Sequence, residues 1–256
     1  MELENNFNLE QFKPEVLREY DIRGIVNKDL TVNTAYSIGR TFGHIVCSKF
    51  SEKKIVVGYD GRLTSPSLHN ALCAGLLESG ANVFSIGLCP TPMVYFSHFH
   101  LKTDAAVMVT GSHNPPEYNG FKMVLNRHSF FADNIQNLQF LTTLKNISTG
   151  QGKLNNIDIK NEYVKYNLKN IKLNKKMKIA WDIANGSMGT VIDSFTNQLN
   201  NVEHIVINKE VDGTFPNHHP DPTVPKNMEQ LIDTVISNSC DLGIAFDGDG
   251  DRLGVI

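Results

Sequence analysis

A chain of 256 residues, 41% hydrophobic and 20% charged, is long enough for one large domain or two modest ones with proper cores. Its formal net charge of -3 supplies no field toward nucleic acid or an anionic membrane, and no apolar run approaches the length of a membrane span, so neither partner is expected. The four cysteines, Cys47, Cys73, Cys89 and Cys240, include no C-x-x-C pair. Free buried thiols and a start (1–12) without a basic or apolar leader segment point to a cytoplasmic protein.

In chain order, the apolar run 54–58 suits a buried parallel strand and ends in the turn Asp60-Gly61-Arg62. Ser65-Pro66 then offers a capping hydroxyl and a first-turn proline for a helix from about residue 67. Leu68, Ala71, Leu72 and Leu76 recur at helical spacing, and Gly80 stands where a helix-ending glycine belongs. A strand over 82–86 leads to Pro90-Thr91-Pro92 and a helix carrying Val94, Tyr95 and Phe99. Strand 105–110, loop 111–120, strand 121–125 and a helix around 134–145 follow, and the polar stretch 148–156 reads as a linker.

A second series begins with a helical segment at 159–170 and a strand over 178–182. A loop with Asn185, Gly186 and Gly189, a helix to about 199, and a strand at 203–207 come next. The long loop 208–225, a helix over 227–238 and a strand over 241–246 complete it. This alternation predicts two consecutive three-layer α/β domains with mixed, mostly parallel sheets, divided as 1–153 and 154–256. Asp60 and Asp182 each leave a strand for a glycine-containing turn, a hint of a repeated unit. The lone Trp181 is expected in the core, and His218 and His219, set among prolines, in loop architecture.

The sharpest local feature is Asp247-Gly248-Asp249-Gly250-Asp251-Arg252, directly after an apolar strand. Three carboxylates held this close cost free energy unless a cation or proton offsets them. Such hard oxygen ligands suit Mg²⁺, Ca²⁺ or Mn²⁺. An EF-hand loop fails on spacing: counted from Asp247, the glycine expected sixth is Arg252, and the glutamate expected twelfth lies beyond Ile256. The competing reading is a solvated acidic turn.

The second feature, Thr110-Gly111-Ser112-His113-Asn114-Pro115-Pro116, emerges from the end of a buried strand, where α/β proteins gather ligand-binding residues. No G-x-S-x-G elbow accompanies the serine, so a hydrolase-type nucleophile is not indicated. Alone, this segment reads equally as a structural turn. Arg23, Lys122 and Arg252 are available cations for a phosphate group.

Taken in order, Tyr20-Asp21-Ile22-Arg23-Gly24, the serine segment, Asn119-Gly120-Phe121-Lys122, the loop from Asp212 to Pro222 and the aspartate loop resemble the α-D-phosphohexomutases, specifically the phosphomannomutase/phosphoglucomutase group. The Glu19-Tyr20-Asp21-Ile22-Arg23 segment favours this group over the phosphoglucosamine mutases. The resemblance runs from about Pro14 to Ile256.

It implies that Ser112 carries a phosphoryl group. Asp247, Asp249 and Asp251 would bind Mg²⁺ together with a phosphoserine oxygen, and Lys122 and Arg252 would lie near the transferring phosphate. His113 would neighbour the serine, and Tyr20 and Arg23 would belong to the substrate-binding N-terminal segment. The implied reaction moves phosphate between the 1- and 6-positions of a hexose phosphate through a bound glucose or mannose 1,6-bisphosphate; the base that takes the sugar hydroxyl proton is not identified. The family has four domains and this chain resembles the first two. The expectation is therefore an N-terminal part whose catalysis calls for a polypeptide carrying domains III and IV. A non-catalytic Mg²⁺-binding remnant or scaffold phosphoprotein is the alternative.

Overall fold

Residues 7–256 are described by the structure, a computed structural model; residues 1–6, part of the acidic start, lie outside the described residues. The first half runs β1 (Ile22–Ile25), α1 (Val32–Lys49), β2 (Lys54–Tyr59), α2 (Ser65–Glu78), β3 (Asn82–Leu88), α3 (Thr91–His100), β4 (Ala105–Val109), β5 (Tyr118–Leu125), β6 (His128–Ser129) and α4 (Asp133–Leu141). After β7 (Leu154–Asn156) come α5 (Lys160–Leu168), β8 (Met177–Asp182), α6 (Ile192–Thr196), β9 (Val202–Ile207), α7 (Glu229–Ser237), β10 (Leu242–Phe246) and β11 (Leu253–Val255). Among these helices none is long and apolar enough to cross a membrane.

The central strands show how the layers arise. In β2, Ile55 and Val57 enter one apolar cluster and Val56 another; in β4, Val107 and Val109 divide from Ala106 and Met108 in the same way. Successive side chains of a strand point to opposite faces, so a strand covered on both sides reads as an unbroken apolar run. Each such fully buried valine or methionine is worth roughly 1.5–3 kcal/mol. Residues of α1, α2 and α4 close one face, and residues of α3 and the α5 segment close the other.

The first sheet has the order β1-β5-β4-β2-β3-β7, with β6 on β5, and the second β11-β10-β8-β9. Among the described residues five strand pairings are parallel and four antiparallel, the mixed arrangement expected. The cluster holding Val56 and Met108 also takes in Ile183, Met188 and Ile192, so the two sheets share a core, and α7 covers the second sheet's other side through Leu231. The loops after β2, β3 and β4 meet the loops after β9 and β10: Gly61 lies against Val211, Thr91 bonds Asp249 and Ser112 bonds Asp247.

Several local expectations are revised. The hydroxyl of Ser65 does not cap α2: it lies inside the helix and donates to Asp60 Oδ1 at 2.5 Å, because a buried carboxylate must find donors. Gly80 does end α2, in the left-handed region at φ +92°. The stretch 148–156 is not a free linker. Gly150 and Gly152 donate backbone N–H groups to Glu78 and Leu77, and 154–156, just past the expected division at 153, adds β7 beside β3 on the first sheet. In place of one helix to about 199 there is a tight 3₁₀ turn over Ser187–Thr190 and the five-residue α6.

Trp181 sits at the margin of the core, half-buried, its Nε1 donating to His204 Nδ1 at 3.0 Å and its ring stacked on Phe246. Cys73 and Cys89 are buried and burial pushes both thiols up, whereas Cys47 and Cys240 are partly exposed.

Candidate active site and metal centre

Asp60 and Asp182 stand at corresponding strand ends and do the same job. Each accepts the backbone N–H two residues on, from Arg62 at 3.1 Å and Ala184 at 2.9 Å, which folds the turn back on itself. Asp182 also accepts from Asn208 and pairs with His218 at 2.8 Å, an interaction that raises the pKa of His218 although burial opposes it. His218 is thus architectural, as expected.

Asp60 builds the serine loop. Its Oδ2 accepts from Thr110 Oγ1 at 2.8 Å and from the Gly111 N–H at 3.1 Å, and it pairs with Arg62 Nε at 3.3 Å. Arg62, 1% exposed, donates to four carbonyls of that loop: Ser112 at 2.8 Å, Asn114 at 2.6 Å, Pro115 at 2.6 Å and Tyr118 at 2.9 Å. From the second lobe, Phe215 lies against the guanidinium, 5.3 Å from ring centre to Cζ. Burial lowers the arginine's pKa, and the Asp60 carboxylate works the other way. Neither Asp60, Arg62 nor Thr110 is picked out as a site residue by sequence reading.

Ser112, fully buried, is held at φ +52°, a conformation few residues other than glycine adopt. The Thr110 hydroxyl accepts its N–H at 2.7 Å and Arg62 holds its carbonyl, so the strain is over-determined by its surroundings. Its Oγ donates to Asp247 Oδ2 at 3.2 Å and accepts from Arg252 Nη2 at 2.9 Å. His113 Nδ1 lies 3.4 Å from the same oxygen and contacts Arg252 Nη2. Burial and the Arg252 charge lower the His113 pKa, a shift toward the neutral ring, the form that can accept from a guanidinium.

The aspartate loop joins β10 to β11. Asp247 Oδ1 accepts the N–H groups of Asp251 and Arg252 at 3.0 and 3.1 Å, curling the loop around itself. Gly250 is left-handed, at φ +70°, and a side chain there would meet Met188. At Gly248 a Cβ would come 2.7 Å from the Ser112 carbonyl, so the two lobes touch backbone to backbone. On β5, Phe121 and Met123 enter the first core, which turns Lys122 to the opposite face. Its Nζ reaches Asp249 Oδ2 at 2.7 Å and Asp251 Oδ2 at 2.6 Å.

One oxygen from each of Asp247, Asp249 and Asp251 falls within 4.8 Å of the others. Burial, with the charges of Asp249 and Asp251, pushes Asp247 up to about 8. Burial also penalises the Asp249 charge, but the Lys122 ammonium overrides it and holds that carboxyl at about 2. Asp249 Oδ1 is buried and has no hydrogen-bond partner. A buried carboxylate oxygen left bare costs free energy, and a hard divalent cation is what it fits. The donor set of three carboxylates beside a serine oxygen therefore suits a hard divalent cation.

A cavity of about 340 Å³ opens onto this site, lined by Arg18, Glu19, Tyr20, Asp21, Arg23, Ser112, His113, Lys122 and Arg252. Arg23 donates to the Gly111 carbonyl at 3.1 Å and pairs with Asp21, while Tyr20 is 72% exposed at the rim. Six of the nine residues picked out from the sequence line this cavity, and the three aspartates lie behind it, bonded to Ser112 and Lys122.

A family model described as phosphoglucomutase/phosphomannomutase, alpha/beta/alpha domain I, matches residues 14–139, and its domain II counterpart matches residues 159–256. A phosphomannomutase/phosphoglucomutase from Pseudomonas putida is 44% identical over 243 residues, covering 94% of this chain and 52% of its own. A phosphoglucomutase from Neisseria meningitidis serogroup A is 42% identical over 247 residues, covering 94% of this chain and 53% of its own. The crystal structure of a phosphoglucomutase/phosphomannomutase family protein from Burkholderia thailandensis superposes with a TM-score of 0.90 at 38% identity, covering 96% of this chain and 55% of that one. The chain spans about half the length of the curated relatives it matches.

Proposed function

The chain belongs to the phosphoglucomutase/phosphomannomutase family, and from that premise we propose that it supplies the phosphoserine and metal half of a phosphohexomutase acting on mannose or glucose phosphate. Ser112 is the phosphoryl carrier on a first domain. Asp247, Asp249 and Asp251 are the metal ligands on a second, and the change of domain falls within 148–159. The observation that carries this reading is the contact of Ser112 Oγ with Asp247 and Arg252 beside the bare Asp249 oxygen.

A magnesium ion held by the three aspartates and an oxygen on Ser112 would neutralise charge on the transferring phosphoryl oxygens. The chain's own residues do the rest. Arg252 stabilises the serine oxygen as the O–P bond to it breaks, and His113, in contact with that guanidinium, keeps it in place. Lys122, whose pKa Asp249 and Asp251 raise against the effect of burial, stays charged at the cleft wall. Arg23 and Tyr20 border the cavity where a hexose phosphate would enter. Phosphoryl transfer asks chiefly for positioning and charge neutralisation, which these groups supply. The phosphoryl group passes from Ser112 to a free hydroxyl of the bound sugar as the Ser112 O–P bond breaks, the hydroxyl proton ending on the freed serine oxygen; the 1,6-bisphosphate so formed returns its other phosphoryl group to Ser112 by the reverse exchange.

A coupled assay for conversion of mannose 1-phosphate to mannose 6-phosphate tests this, run on the full chain with and without a polypeptide supplying the relatives' C-terminal domains. Turnover is expected when that polypeptide is present. Absence of turnover in both conditions would leave the non-catalytic scaffold reading in its place.

A further inference from the structure

The metal loop is gripped from the first lobe by Thr91, a residue that no part of the phosphoryl-transfer reading uses. Thr91 is fully buried at the first turn of α3, just after Pro90. It makes two bonds to the same residue across the lobes: its N–H donates to the Asp249 carbonyl at 2.8 Å, and its Oγ1 donates to Asp249 Oδ2 at 2.5 Å. Lys122 Nζ donates to that same Oδ2 at 2.7 Å. Two donors therefore occupy one carboxylate oxygen, and the other, Oδ1, is buried and without a partner.

We infer that Thr91 is a positioning residue for the metal centre: its hydroxyl fixes the rotation of the Asp249 carboxylate so that Oδ1 is the oxygen offered to a divalent cation. This rests on the reading of the three aspartates as metal ligands. The geometry leaves little freedom. Lys122 alone could follow Asp249 through a range of rotations, because an ammonium is a point charge on a flexible stem. The threonine is β-branched and pinned at its backbone to the residue it orients, so it cannot follow. Groups that orient metal ligands in this way are typically worth about 10- to 100-fold in metal affinity.

The test titrates the full chain with Mg²⁺ by calorimetry and measures melting without metal. Thr91→Val keeps the buried volume and removes the hydroxyl; Thr91→Ala removes both; Thr91→Ser keeps the hydroxyl. Affinity is expected to fall about 10- to 100-fold in Thr91→Val and Thr91→Ala and to persist in Thr91→Ser. A purely packing role predicts the reverse for valine, which fills the space. Unaltered affinity in Thr91→Val or Thr91→Ala overturns the inference, as does an equal loss in Thr91→Ser. Should the valine variant not fold, the alanine and serine pair decides. If the unaltered chain itself binds no Mg²⁺, the metal reading fails and the Thr91 assignment falls with it.

Discussion

On the proposed reading, Ser112→Ala is expected to abolish phosphorylation of the chain and, with the relatives' C-terminal domains supplied, to lower mutase turnover by at least roughly 10³-fold. No neighbouring hydroxyl can substitute. Thr110 Oγ1 is bound to Asp60 and to the Ser112 N–H, and His113 is engaged with Arg252. The intact mass before and after phosphatase treatment reads the first effect directly. The left-handed backbone at Ser112 supplies a control. Ser112→Gly deletes the same hydroxyl but relieves strain, so it should be more stable than Ser112→Ala by about 1 kcal/mol. A phosphate that survives in both variants would move the carrier role elsewhere.

Arg62→Met is the substitution expected to cost the most stability. It strands four carbonyl oxygens of the serine loop and leaves Asp60 as a buried carboxylate without its counter-charge. Breaking a buried pair by removing one partner costs about 3–5 kcal/mol. Because the lost bonds all belong to the segment presenting Ser112, phosphorylation of that serine should fall even in molecules that remain folded. Urea unfolding measures the first effect and phosphate incorporation at a temperature below the melting range measures the second. A variant with wild-type stability and wild-type incorporation would show that Phe215 and Asp60 hold the loop without the guanidinium.

The contrast between Ser112 and Arg62 shows what could be read from the chain and what could not. The serine and aspartate loops are compact in sequence, and each has a local chemical oddity: a serine at a strand end, or three carboxylates between glycines. Arg62, Asp60 and Thr91 act at a distance. Arg62 reaches carbonyls 50 to 56 residues away, and Thr91 binds a carboxylate 158 residues away. A turn such as Asp60-Gly61-Arg62 looks ordinary until the loop it holds is placed above it.

The same limit explains the longest helix. No element was expected between 25 and 53, yet α1 spans Val32–Lys49. Its packed face is built from Thr34, Ser37, Gly39 and Thr41 as much as from Ile38 and Phe42. Gly39 meets Gly75 of α2 so closely that a side chain at either would strike the other helix's backbone. Small polar residues let two helices approach, but they erase the apolar stripe by which a helix is recognised. The strands, covered on both faces, kept their signal, and so did α2.

Crystals of the phosphorylated chain soaked in Mn²⁺ and measured for anomalous scattering would test the shared centre most directly. The expected result is a single strong peak in contact with one oxygen from each of Asp247, Asp249 and Asp251 and with a phosphoryl oxygen on Ser112. A peak bound elsewhere, or aspartates that bind the ion while Ser112 stands clear of it, would contradict the proposal that the two lobes form one site.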